Sequence, residues 1–171
     1  MATRAREFVV PVLLGGCIAG TIDIGAACLI SGRDLPFILH SIAGGLLAKQ
    51  SFAGGAPTAV LGLVLQELMG ILIAAVFVTA TYYLPALRRR WVLAGLAYGV
   101  VIFFVMNYVV VPLSAWRRMP HFTPVKFAAN LLAMLLFGLI VAYFARRQRA
   151  TVSTVREAPS SQHNSLADPG A

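Results

Sequence analysis

The chain has 171 residues, 59% hydrophobic and 12% charged, about half the charged share of a soluble domain. That composition excludes an ordinary soluble domain and fits an integral membrane protein. The formal net charge of +8 also raises nucleic acid as a partner, but the basic residues cluster at the ends of apolar runs, where they report membrane topology instead.

The first apolar run covers about residues 8–30 and follows Arg4 and Arg6. Its start, FVVPVLL and then GGC, has the look of a lipoprotein signal ending at Cys17. A secretory signal gives way to mature sequence after a short apolar core. Here IAGTIDIGAACLI prolongs the run, so an uncleaved span of roughly 20 apolar residues is expected. Cys17 and Cys28 lie about 16 Å apart along this helix and cannot pair within it. No cysteine or histidine spacing suggests a structural metal or a cofactor.

Within that span the stretch GTIDIG carries Asp23. Its neighbours at helical spacing are Gly16, Ala19, Gly20, Ala26, Ala27 and Ile30. Small residues let helix backbones approach closely in membranes. The acid therefore shares a face with the expected packing surface, away from lipid.

The next apolar segment, about 35–47, gives a helix of only about 20 Å, too short to span. Asp34 is placed to cap it, with Pro36 in its first turn. Leu35, Ile38, Leu39, Ile42 and Leu46 form one stripe, opposite Ser41, Gly45 and Lys49. This pattern predicts an interfacial or re-entrant helix on the outer side. His40 beside Ser41 lacks a carboxylate at triad spacing, so catalysis is not expected there. FAGGAP then turns the chain into a second span, about 58–84, which carries Gln66 and Glu67.

A short loop with Arg88, Arg89 and Arg90 makes the second and third spans antiparallel neighbours. The third, about 91–113, contains Gly95, Gly99 and Asn107 and ends at Pro112. Thr123-Pro124 is a cap-and-proline start for the fourth, about 124–145, which holds Lys126 and Asn130. Trp91, Trp116, Tyr82 and Tyr83 stand at span ends, as interfacial anchors do. Residues 1–149 thus form one membrane domain. The polar segment 150–171, with no periodicity, is expected to be a disordered cytoplasmic tail.

Nine of the fourteen basic residues fall at the termini and in the arginine loop. Arg33, Lys49, Arg117, Arg118 and Lys126 occupy the other connections. The imbalance predicts both termini in the cytoplasm, although the Arg117-Arg118 pair leaves an inverted arrangement open.

Depths follow from the 1.5 Å helical rise. Asp23 and Glu67 both come out roughly 6 Å to the outer side of the midplane, and Asn107 and Asn130 roughly 7 Å. A charged, unpaired acid at such a depth is costly, so it must be protonated, paired or hydrated. Asp23, Glu67, Asn107 and Asn130, with Lys49 and Lys126 as the available cations, are the candidate ion- or solute-binding residues. The competing reading makes them interhelical hydrogen-bond glue, each worth about 0.6–2 kcal/mol. Asn107 aligns poorly with the Gly95-Gly99 face, which counts against one tight cluster.

SIAGGLLAKQSFAGG (residues 41–55) and MNYVVVPLS (residues 106–114) carry a resemblance. They resemble a group of small, uncharacterised bacterial inner-membrane proteins with four spans, over the stretch from about Gly20 to the fourth span. The resemblance implies a bacterial four-span fold, names no substrate, and ties Asn107 and the glycine-rich outer segment to the motifs of that group.

The expectation is an all-α membrane protein, a four-transmembrane-helix bundle with a short outer helix. It resides in the bacterial inner membrane with the lipid bilayer as its partner. It is expected to move or sense a proton, ion or small solute, and to be neither an enzyme nor a nucleic-acid binder. The alternative is a non-transporting accessory subunit whose polar layer specifies helix pairing. One small bundle seldom encloses a wide pore alone, which leaves a homo-oligomer open.

Overall fold

The structure, a computed structural model, describes residues 2–117 and 123–156. Its elements are α1 (Ala2–Ser31), α2 (Leu35–Leu47), α3 (Gly55–Tyr83), α4 (Pro85–Arg89), α5 (Trp91–Val105), α6 (Val111–Leu113) and α7 (Pro124–Arg156). A 3-10 turn, Ala48–Phe52, follows α2, and a π-helical turn, Met106–Val110, joins α5 to α6. No strand occurs among the described residues. Four segments are long and apolar enough to cross a membrane: Phe8–Ser31, Gly55–Tyr83, Trp91–Leu113 and Pro124–Arg147. They lie within three residues of the sequence expectation at every end, because length and apolarity alone set them.

Helix ends follow local chemistry. Gly32, at φ +68°, leaves α1 in the left-handed region, and its N–H bonds the Cys28 carbonyl at 2.9 Å; glycine adopts this exit without a Cβ clash. Thr123 Oγ1 accepts the Lys126 N–H at 3.4 Å, with Pro124 in the first turn of α7. Asp34 occupies the position before α2 but makes no side-chain cap bond. The polar segment begins inside a helix, since α7 continues to Arg156. No glycine or proline interrupts it there, and Pro159 is the first breaker. Residues 157–171, the rest of the expected tail, lie outside the described residues.

In the bundle α1 packs between α3 and α7, and α5 packs against α7. Glycines permit the closest crossings. A Cβ on Gly16 would stand 2.7 Å from the Ile71 Cα, and one on Gly70 would stand 2.7 Å from the Gly16 carbonyl oxygen. Between α5 and α7, a Cβ on Gly95 would stand 2.9 Å from the Gly138 oxygen, and one on Gly99 would stand 2.8 Å from the Leu135 Cα. The α3–α5 contact is different. Their short loop predicts close neighbours, yet α3 and α5 pack less closely than the pairs above; they touch through large side chains, with the Phe77 and Tyr98 rings 5.0 Å apart and the Tyr98 hydroxyl donating to the Ile73 carbonyl at 2.7 Å. The core between these helices includes Val12, Ala74, Phe77, Ile102, Phe137 and Val141.

The helix order puts α4 and the start of α1 at one end, where the Arg146 guanidinium lies 5.3 Å from the Trp91 ring centre. At the other end α2 lies along α3, with its Leu39 backbone directly over Gly62. The segment after α6 docks on its other side. The Ala115 N–H donates to the Gly45 oxygen at 2.8 Å, and the Trp116 indole N–H donates to the Ser41 oxygen at 2.9 Å. Of the apolar stripe on α2, Ile38 is buried against the bundle. Gly44 and Ala43 are buried while Leu35 and Leu46 are exposed. Backbone-to-backbone docking selects small residues, which a hydrophobic-stripe argument overlooks.

Candidate functional site

A polar seam runs along the crossing of α1 and α3. The two helices are antiparallel, so successive turns of one face earlier turns of the other. Gly16 faces Gly70 and Ile71, Gly20 faces Glu67, and Asp23 faces Gln66. Glycine at 20 matters to the site itself. A Cβ there would stand 3.6 Å from both Glu67 carboxyl oxygens, so the carboxylate lies against the α1 backbone.

The Gln66 amide donates to Asp23 Oδ2 at 3.1 Å. Thr21 Oγ1 donates to Glu67 Oε1 at 3.4 Å, a long and therefore weak bond. Cys17, one turn toward the other end, adjoins the same carboxylate. Glu67 Oε2 is buried and has no hydrogen-bond partner. The seam thus presents two carboxylates, one amide, one hydroxyl and one thiol within about two helical turns.

The six sequence candidates do not form one cluster. Asp23 and Glu67 share the seam, linked through the adjacent residues Gln66 and Glu67 of α3. Asn107 is buried in the π-helical turn and donates to the Phe103 carbonyl of its own helix at 2.8 Å. That carbonyl also takes the Met106 N–H, so the amide is a second donor to it. Asn130 is half-buried on α7, and Lys126 is exposed in the first turn of α7. Lys49 is exposed on the 3-10 turn at the α2 end. No hydrogen bond or ion pair among the described residues joins Lys49, Lys126 or Asn130 to either acid. Equal depth along four helices is legible in the sequence, but rotation about each helix axis is not.

Gln66 and Thr21 are the members that sequence reasoning leaves out of the site. Gln66 is visible as a polar span residue one position before Glu67, and an amide is the donor a carboxylate needs. Thr21 is exposed and offers only its spacing from Asp23 as a signal.

His40 has a structural placement. Its Nδ1 lies 2.6 Å from the Pro36 oxygen and its Nε2 lies 3.0 Å from the Gly55 oxygen, tying α2 to the first turn of α3. Among the described residues no group of three or more His, Cys, Asp or Glu could hold a metal ion. Compared with known proteins, the chain matches no family model, no curated protein and no solved structure.

Proposed function

We propose that this chain is a four-span protein of a bacterial inner membrane, with both termini cytoplasmic and α2 lying at the outer surface. In this reading the α1–α3 seam, in the outer half of the bilayer, takes up a proton or small cation. The observation that carries it is Glu67 Oε2, buried without a partner beside the Asp23–Gln66 pair. A buried carboxylate oxygen that accepts no hydrogen bond is costly in hydrocarbon, and a proton or cation at that oxygen removes the cost. The complement to this oxygen is positive, and neither Lys49 nor Lys126 bonds it. The seam assigns no covalent chemistry to the chain.

A second reading has its own support. The Gln66–Asp23 hydrogen bond is a satisfied interhelical pair, as a non-transporting accessory subunit would use to specify helix pairing.

The purified chain in liposomes loaded with a pH- or sodium-sensitive dye separates the two. Under an imposed potential, flux above protein-free vesicles is expected, with loss in Glu67→Gln and reduction in Asp23→Asn. Wild-type flux equal to that of protein-free vesicles, or undiminished flux in Glu67→Gln, would overturn the proposal and leave the packing reading.

A further inference from the structure

The α2 end of the bundle holds a second arrangement, remote from the seam. Two surface clefts adjoin there and share Lys49 and Trp116. One, of about 510 Å³, is also lined by Leu46, Ala48 and Gln50. The other, of about 550 Å³, is also lined by Phe37, Ser41, Phe52 and Val111. The second cleft is aromatic and mostly apolar. Phe52 stands at its centre, its ring 5.2 Å from Phe37, 5.8 Å from His40 and 6.3 Å from Trp116.

Cations border this aromatic cleft. The Arg33 guanidinium lies 4.7 Å from the centre of the Phe37 ring, and the exposed Lys49 lines both clefts. The only acid described at this end is Asp34, against Arg33, Lys49, Arg117 and Lys126. Exposed leucines adjoin the same region: Leu35 on α2, Leu46 beside Lys49, and Leu113 at the end of α6.

We propose that this paired cleft binds an anionic phospholipid. The phosphate sits between Lys49 and Arg33, and an acyl chain lies along Phe37, Phe52 and Val111. Lysine as a point charge and arginine as a planar donor both suit a phosphate oxygen. The apolar, aromatic wall suits a chain, and the exposed leucines connect it to surrounding hydrocarbon. A soluble anion would leave that wall unused.

Two further observations agree. Ala48 and Arg117, at φ 50° and 47°, are non-glycine residues in the left-handed region. Strained backbone of this kind gathers at ligand sites, and here both residues flank Lys49 or Trp116. The positive-inside rule depletes lysine and arginine on the outer side, so cations kept there need a separate reason. A bound phosphate supplies one.

This inference rests on the membrane reading but not on the seam, and the test separates them. The full chain, with Trp91→Phe so that Trp116 alone fluoresces, is placed in phosphatidylcholine nanodiscs. These carry a minor fraction of either phosphatidylglycerol or phosphatidylcholine brominated on the acyl chain. Brominated phosphatidylglycerol is expected to quench Trp116 more strongly at equal fraction. Each of Lys49→Gln and Arg33→Gln should lower that preference about fivefold, while Lys49→Arg retains it. Native mass spectrometry of the unaltered chain and of Lys49→Gln checks the same preference as bound lipid, without touching Trp91. Equal quenching by the two lipids, or a preference that survives the double Lys49→Gln, Arg33→Gln change, overturns the inference. Either result leaves the membrane reading and the seam intact. Failure of the chain to enter nanodiscs overturns the membrane reading together with it.

Discussion

Single atoms decide what the polar side chains of this protein do. Gln66 and Glu67 are adjacent on α3, yet one donates to Asp23 and the other buries an oxygen that accepts no hydrogen bond. Their roughly 100° separation on the helix gives them different faces of the same crossing. Gln66→Leu removes the donor and leaves Asp23 half-buried without its partner. The expected cost is about 1–3 kcal/mol, read as a lowered midpoint of thermal unfolding in detergent. Asp23→Asn keeps an accepting oxygen in place and should unfold within about 0.5 kcal/mol of the wild type. A large destabilisation by Asp23→Asn would mean that the carboxylate, rather than an acceptor of any kind, holds the crossing. Tyr98→Phe tests the contact of α5 with α3. Loss of its bond to the Ile73 carbonyl should cost about 0.6–1.7 kcal/mol, measured the same way.

At the scale of elements, two glycine crossings and one docked helix set the arrangement. The Gly16–Gly70 and Gly99–Leu135 contacts leave no room for a Cβ, and the atoms met are backbone, which cannot rotate away. Gly16→Val and Gly99→Val should each destabilise by about 1–3 kcal/mol or more. Gly25→Ala, where a Cβ would meet nothing within 4 Å, should be close to neutral. Equal effects at Gly16 and Gly25 would show that the α1–α3 crossing is looser than described. The docked helix depends on Trp116, whose ring covers Gly44 and whose N–H bonds the Ser41 oxygen. Trp116→Ala should free α2 and raise the labelling rate of a cysteine placed at Ser41. That residue is half-buried, with its hydroxyl bonded to the Phe37 oxygen at 2.8 Å. A cysteine at the exposed Gln50 should label at the same rate in both backgrounds.

For the whole molecule, the four-span reading makes a directional statement. The helix order brings the start of α1, the end of α7 and α4 to one end and α2 to the other. The proposed topology puts the arginine-rich end in the cytoplasm, as the positive-inside rule predicts. Reporter fusions at Ala171 and in the loop beside Arg117 should report opposite compartments. An impermeant thiol reagent should label a cysteine at Gln50 only from outside. A C-terminus found outside would invert the assignment, and the seam would then open toward the cytoplasm.

Span positions and the extent of α2 are legible in the amino-acid sequence, because both depend on local quantities. These are the length of an apolar run, a proline in a first turn, or a glycine after the last turn. Asp23 on a small-residue face is legible for the same reason, since spacing along one helix fixes a face. Which faces meet is not a local quantity. Depth points Asp23 toward Glu67, yet its bonded partner is the preceding residue, Gln66. Asn107 shares the expected depth, yet its amide bonds the Phe103 carbonyl one turn back on its own helix. Both outcomes turn on rotation about helix axes, which is decided where glycines let two backbones touch. Such contacts join residues such as Gly16 and Gly70, or Gly99 and Leu135, that no local periodicity relates. Depth is a property of one helix; partnership is a property of two, and only the packed bundle contains it.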